Sequence, residues 1–228
     1  MKRFFLIAFL CLSFSMASAQ WSVGCRGGVG FTSIERSQAG RIDEAYLPLG
    51  GYDVGFTASY ALSSWFAVRA GLDLMQRNHR MQRRLQYLSP VYTDHVNTYF
   101  SLPLMADFSF GGNRLRGHLM VGTFVDYWLD HRVKGVTYSM TDYDVFFNDF
   151  DTRSDFSSAD RRTTAGLVGG TALSFCLNTS FDVSLNALFF YDLVSHHIGY
   201  AALQDYRYLN TCAVTLALSY HVPPRQQL

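Results

Sequence analysis

From Trp21 to Val222, large apolar side chains alternate with small or charged ones in about eight separate runs. In the last run Cys212, Val214, Leu216, Leu218, Tyr220 and Val222 share one face, while Thr211, Ala213, Thr215, Ala217, Ser219 and His221 share the other. A period of two held this long predicts a strand well beyond the usual length of about five or six residues. Earlier runs repeat the pattern: Tyr52, Val54, Phe56, Ala58 and Tyr60 oppose Asp53, Gly55, Thr57 and Ser59, and Phe66, Val68, Ala70, Leu72 and Leu74 oppose Arg69, Gly71, Asp73 and Arg77. Long strands, apolar on one side and even in number, are what a transmembrane β-barrel requires.

The connections alternate in length. Ser63-Ser64, Gly111-Gly112-Asn113 and Cys176 to Ser180 are short, whereas 35–50, 78–95, 131–161 and 195–206 are long. That asymmetry predicts an all-β, eight-stranded antiparallel up-and-down transmembrane β-barrel with short periplasmic turns and long extracellular loops. Trp21, Tyr60, Trp65, Phe110, Phe175, Phe181 and Tyr220 fall near the short-turn ends; Phe31, Tyr52, Tyr127, Tyr191 and Tyr208 fall near the others. Such rings suit the two membrane interfaces. Pro103 is the misfit, because a closed barrel has no free edge, and it predicts a bulge or a locally broken ladder in the fourth strand.

Ahead of the runs, Lys2 and Arg3, the apolar stretch Phe4 to Phe14 and Ala17-Ser18-Ala19 form the pattern of a cleavable export signal. The expected organisation is a signal peptide at 1–19 and one barrel domain at 20–228, with the outer membrane as destination. Beyond the signal, Lys134 is the one lysine and Glu35 and Glu44 the glutamates, so the ionic groups are nearly all Arg and Asp. A soluble surface ordinarily uses Lys and Glu, whereas the fork-shaped guanidinium and the compact carboxylate suit interior pairing. The expected lumen network is Arg26, Asp53, Arg69, Asp73, Arg77, Asp107, Arg116, Asp126, Asp182 and Asp192, filling a barrel too narrow for an open pore. A net charge of +1 argues against a nucleic-acid binder. Cys25, Cys176 and Cys212 read as free thiols serving as small hydrophobes.

Tyr99-Phe100-Ser101-Leu102-Pro103-Leu104 resembles the Pro-centred motif of the PorT-like outer-membrane β-barrel family of Bacteroidetes. Gly24 to Gly30 is similar to that family's glycine-rich first strand, and Leu188 to Leu193 to its penultimate one. The resemblance implies a small, porin-like outer-membrane barrel; the namesake acts in protein secretion, a role that does not transfer from fold alone. The Pro223-Pro224 tail after Tyr220 departs from the terminal aromatic common in such barrels.

Three segments carry candidate chemistry. Ser195-His196-His197 beside Asp192 has the residue types of a hydrolase, but no oxyanion-hole signature accompanies it. Arg80, Arg83 and Arg84, with His79, form a basic loop suited either to lipid phosphates or to pairing with the acidic loop. That acidic loop interleaves Asp142, Asp144, Asp149, Asp151, Asp155 and Asp160 with Tyr143, Phe146, Phe147, Phe150 and Phe156, and lacks the turn glycine of a calcium loop. Its aromatics suit a partner or the barrel mouth. The expectation is a non-enzymatic barrel with no cofactor and no metal, bathed in outer-membrane lipid, whose loops bind an envelope protein, a surface ligand or lipid. The alternatives are a lipid-modifying enzyme, a narrow channel or a soluble lipocalin-like carrier with its apolar face inward.

Overall fold

The computed structural model describes residues 20–36, 44–83, 91–140, 144–198 and 206–222. The export signal, Arg84, Asp142 and Tyr143 lie outside the described residues. Ten strands follow one another: β1 (Gln20–Arg36), β2 (Glu44–Ala61), β3 (Phe66–Gln76), β4 (Asn78–Arg83), β5 (Tyr92–Gly111), β6 (Leu115–Met140), β7 (Val145–Arg153), β8 (Thr163–Cys176), β9 (Phe181–Asp192) and β10 (Arg207–His221). Every pairing is antiparallel, and the ring closes: β1 on β2, β2 on β3, β3 on β5, β5 on β6, β6 on β8, β8 on β9, β9 on β10 and β10 on β1. Eight strands therefore enclose the barrel. β4 prolongs β3 beyond Arg77, and β7 pairs with β6 outside the ring.

The pleat decides which face meets lipid. Val29, Phe56, Leu104, Val121, Leu185 and Leu216 all point outward and are exposed, as are the thiols of Cys25 and Cys212. Arg26, Asp53, Asp73, Asp107, Asp126 and Asp192 point inward and are buried. This is the reverse of a lipocalin-like carrier, and it fits hydrocarbon outside. The aromatic ends are exposed as well, with Trp21 against Tyr60 at 4.8 Å and Phe181 against Tyr220 at 5.2 Å at the short-turn rim. Met75, Tyr99, Met105, Met120, Phe124 and Phe190 share the interior with the charges. The lumen is thus filled by large apolar groups as well as by Arg and Asp, as the narrow interior of eight strands demands.

Pro103 breaks one ladder. β3 pairs with β5 from Phe66↔Phe108 to Ala70↔Leu104 and resumes at Asp73↔Ser101 in the same register, so the bonds opposite Leu102-Pro103 are missing. Gly71 makes room: a Cβ there would lie 2.8 Å from the Pro103 ring. On its other side Pro103 pairs normally with Phe124, and the register shift of β5 lies instead between Thr98 and Tyr99.

The long connections need correcting. Much of them is sheet: β2, β4, β5, β6 and β7 continue past the interface as a five-stranded antiparallel sheet, with Leu47↔Arg80, Arg80↔Asp94, Asp94↔Lys134 and Lys134↔Asp151 in line. Alternation does not reveal it because no face of this sheet meets hydrocarbon or a deep core. β6 runs eleven residues beyond Leu129, to Met140, about 37 Å along the strand at about 3.4 Å per residue.

Candidate functional site

The molecule offers three places for chemistry or binding: a plug of side chains in the lumen, a projecting sheet, and a chamber at the short-turn end. The plug forms around Arg77, which falls at the break between β3 and β4. Its amide donates to Asn97 O at 2.9 Å, and Asn97 Nδ2 returns a bond to Arg77 O at 2.9 Å. Arg77 Nη1 donates to Asp192 Oδ1 at 2.7 Å, and Nη2 lies 2.8 Å from Asp126 Oδ2; all three side chains are fully buried. The guanidinium sits over Phe124, Phe190 and Tyr99, 4.9, 5.4 and 5.6 Å from the ring centres. A cation paired to two carboxylates and flanked by three rings fills the lumen at this level.

Below it, Arg26 grips Asp73 with both arms, Nε to Oδ1 at 2.8 Å and Nη2 to Oδ2 at 2.5 Å, and lies 3.7 Å from Asp53. Arg69 Nη2 holds Asp107 Oδ2 at 2.6 Å, and His221 holds Asp182 at 2.8 Å. Arginine thus meets Asp53, Asp73, Asp107, Asp126 and Asp192 inside the barrel, whereas Asp182 lies against a histidine and Arg116 meets no carboxylate among the described residues. Arg116 is exposed at the short-turn rim, and its Nε makes a 3.4 Å contact with Gly112 O in place of an ion pair.

The Ser195-His196-His197 segment does not form a reactive site. His196 Nε2 is 2.6 Å from Asp192 Oδ2 and Nδ1 is 3.2 Å from the Tyr99 hydroxyl, so both ring nitrogens are committed inside the plug. Ser195 Oγ instead accepts from the amides of His197 and Arg207 at 3.2 and 3.0 Å. The segment closes the mouth.

On the projecting sheet, Arg80 spends its fork on Asp94, at 2.6 and 2.9 Å, and stacks 4.2 Å over Tyr92. Its partner is the adjacent strand and not the acidic loop. Arg83 ends β4 and its amide donates to Val91 O at 3.4 Å. Asp151 pairs with Arg132, and Asp160 accepts from the amide and hydroxyl of Ser157. These carboxylates are dispersed, and among the described residues no grouping of ligands suits a metal ion. The aromatics divide: Phe156 packs edge-on against Trp128 at 5.0 Å over the mouth, whereas Phe146 and Phe147 stand exposed on β7 and Phe150 is half-buried there.

Beneath the sheet, His79, His95 and His131 stack across β4, β5 and β6, with ring centres 4.7 and 5.5 Å apart and His95 Nδ1 3.2 Å from His131 Nε2. Burial pushes His131 below the ordinary histidine value; Asp160 and Asp130 draw it back up and Arg207 draws it down. A depressed histidine adds stability that is complete above its unfolded value of about 6.5 and declines as pH falls toward the folded one. Trp128, 5.3 Å from His131, reports on this. Its emission should shift to the red as pH falls below about 6.5, and His131→Gln should flatten the profile.

At the opposite end the lumen opens into a chamber of about 650 Å³, lined by Arg69, Asp107, Arg116, His118, Ser174 and neighbouring hydroxyl groups. The sequence did not single out His118 or Ser174. Strand parity puts both inward, but nothing in the alternation separates them from the other small and polar lumen residues.

Residues 14–189 match the model of the outer membrane protein beta-barrel domain. The chain belongs to this family. Membership places the barrel in the outer membrane. Among solved structures, this family member is similar to OprG from Pseudomonas aeruginosa (13% identity, 89% of this chain and 96% of that one, TM-score 0.49) and to Neisserial surface protein A (14%, 89% and 98%, 0.47). It is also similar to Ail of Yersinia pestis, solved with the heparin analogue sucrose octasulfate (11%, 89% and 99%, 0.43). No curated protein matches the barrel in sequence.

Proposed function

We propose that this chain is an exported outer-membrane anchor, its signal removed after Ala19, whose plugged barrel holds a β-sheet outside the cell for a protein partner to bind. The observation that carries this reading is β7. It pairs with β6 along one side, and among the described residues no strand pairs with its other side. An unpaired edge is a template for strand addition, and natural sheets ordinarily shield one. Here the surrounding side chains invite contact: Met140 is 71% exposed and Phe146 52%, with Tyr138, Val145 and Phe147 also uncovered. These groups stand above the membrane, so lipid does not account for their exposure.

An extended segment with apolar side chains at alternate positions fits this edge. Its backbone would bond to β7 while its apolar groups cover Phe147 on one face of the sheet, leaving Phe146 on the other. No catalytic step belongs to this reading. The Tyr99 to Leu104 motif supports kinship with the PorT-like barrels, without carrying their secretion role over. A photo-crosslinking amino acid at Phe147, activated on intact cells, should trap a protein of the envelope or surface. Asn148→Pro, which cannot join a strand-to-strand ladder, should reduce the adduct at least tenfold while the barrel keeps its folded gel mobility. A Phe147 probe that traps nothing, beside a productive probe elsewhere on the sheet, refutes β7 as the contact.

A further inference from the structure

The periplasmic chamber holds a second arrangement, independent of the sheet. Asp107 on β5, His118 on β6 and Ser174 on β8 stand on three successive strands of the ring, all facing the lumen. Asp107 Oδ1 is 2.9 Å from His118 Nδ1, and His118 Nε2 is 2.8 Å from Ser174 Oγ. With the carboxylate holding the proton on Nδ1, Nε2 accepts from the serine hydroxyl. Nδ1 toward the acid and Nε2 toward the nucleophile is the order a serine acyl-transfer site needs. Arg69 fixes the far carboxylate oxygen at 2.6 Å, so Asp107 is held in place.

We propose that Asp107, His118 and Ser174 form a periplasm-facing nucleophilic site that hydrolyses small, water-soluble carboxylic esters. The plug shows what the same residue types look like when they serve packing alone. There His196 lies between Asp192 and Tyr99 in a closed core. His118 and Ser174 instead line the wall of the open chamber, with His118 half-buried and Ser174 buried behind it. Arg116, paired with Ser174 across β6 and β8 and also lining the chamber, adds positive charge to the wall that an acyl oxyanion would meet. The wall is rich in hydroxyl groups, among them Ser22, Ser59, Ser109 and Ser219, which selects a polar ester over the acyl chain of a membrane lipid.

In the first step Ser174 Oγ bonds to the ester carbonyl carbon, its proton passes to His118 Nε2, and the carbonyl electron pair moves onto oxygen. That pair returns as the carbon–oxygen bond to the alcohol breaks, and the alcohol leaves with the proton from Nε2. Water then attacks the acyl-serine by the same route, releasing the acid and restoring the hydroxyl. Ester and water become acid and alcohol.

The test treats the folded barrel, in detergent micelles, with a fluorophosphonate probe and locates the adduct by peptide mass spectrometry. The adduct is expected on Ser174, absent in Ser174→Ala, and formed about 100-fold more slowly in His118→Gln, within the range of a lost general base. Asp107→Asn, which leaves Nδ1 without its carboxylate, should slow labelling as well, and it decides the matter if His118→Gln does not fold. No adduct on Ser174, or an undiminished rate in folded His118→Gln or Asp107→Asn, overturns the proposal.

Discussion

Replacing Arg77 by methionine is expected to destabilise the folded barrel by about 3–5 kcal/mol, the cost of stranding a buried charge. Asp126 loses the one cation within bonding distance, 2.8 Å away, and its side chain has no exposure to water. Asp192 suffers less, because His196 and the Leu209 amide still reach it at 2.6 and 2.9 Å. Adding Asp126→Asn to Arg77→Met should therefore restore much of the loss, since it removes the stranded charge as well. Arg77→Lys should fall between, because a point charge cannot serve two carboxylates from separate nitrogens. Urea titration of the lipid-inserted barrel, read by the mobility of folded and unfolded bands, gives these differences. An unchanged midpoint in Arg77→Met means that water reaches the plug.

A charge on the opposite face should hurt for a different reason. Leu216 points outward halfway along β10, 60% exposed, and Leu216→Arg is expected to cost about 2–4 kcal/mol in a bilayer. Tyr220→Arg, on the same face at the short-turn end, should cost about 0–1 kcal/mol, because an interfacial guanidinium reaches water. The two substitutions put the same guanidinium on the same face at different depths. Equal costs would place the outer face of β10 in water and overturn the membrane assignment.

The strands in the membrane were legible because each has one face against hydrocarbon and one against a packed lumen, which forces a period of two. Val214 and Thr215, or Leu185 and Asn186, announce their sides by chemistry alone. The locally broken ladder was legible too, since Pro103 has no amide to donate. The projecting sheet was not. Along Arg132 to Met140 apolar and polar residues mix on both faces, with Lys134 and Val136 on one and Val133 and Thr137 on the other, so neither is a consistent apolar side. The sheet there is held by its backbone bonds to β5 and β7, which composition does not display.

The site was legible to different degrees. Arg26, Arg69 and Arg77 were found among the interior charges because an inward arginine needs a carboxylate. Which Asp each one takes was hidden, since Arg26 and Asp73, or Arg77 and Asp192, meet across the lumen and not along the sequence. Phe156 illustrates the same limit. It shares a loop with Phe146, yet the chain folds it back onto Trp128 while Phe146 projects. His118 and Ser174 become neighbours only through the register of β6 on β8, which no local pattern records.

β5 and β6 cross from lipid into the outer sheet without a break, sharing pairs from Gly111↔Arg116 to Tyr92↔Val136, apart from the register shift at Thr98/Tyr99. A pull on the distal hairpin is consequently directed along these two strands, loading many rungs in parallel instead of peeling them one by one. Load on the sheet is thereby passed along β5 and β6 into the barrel wall, by way of the bulge at Thr98/Tyr99.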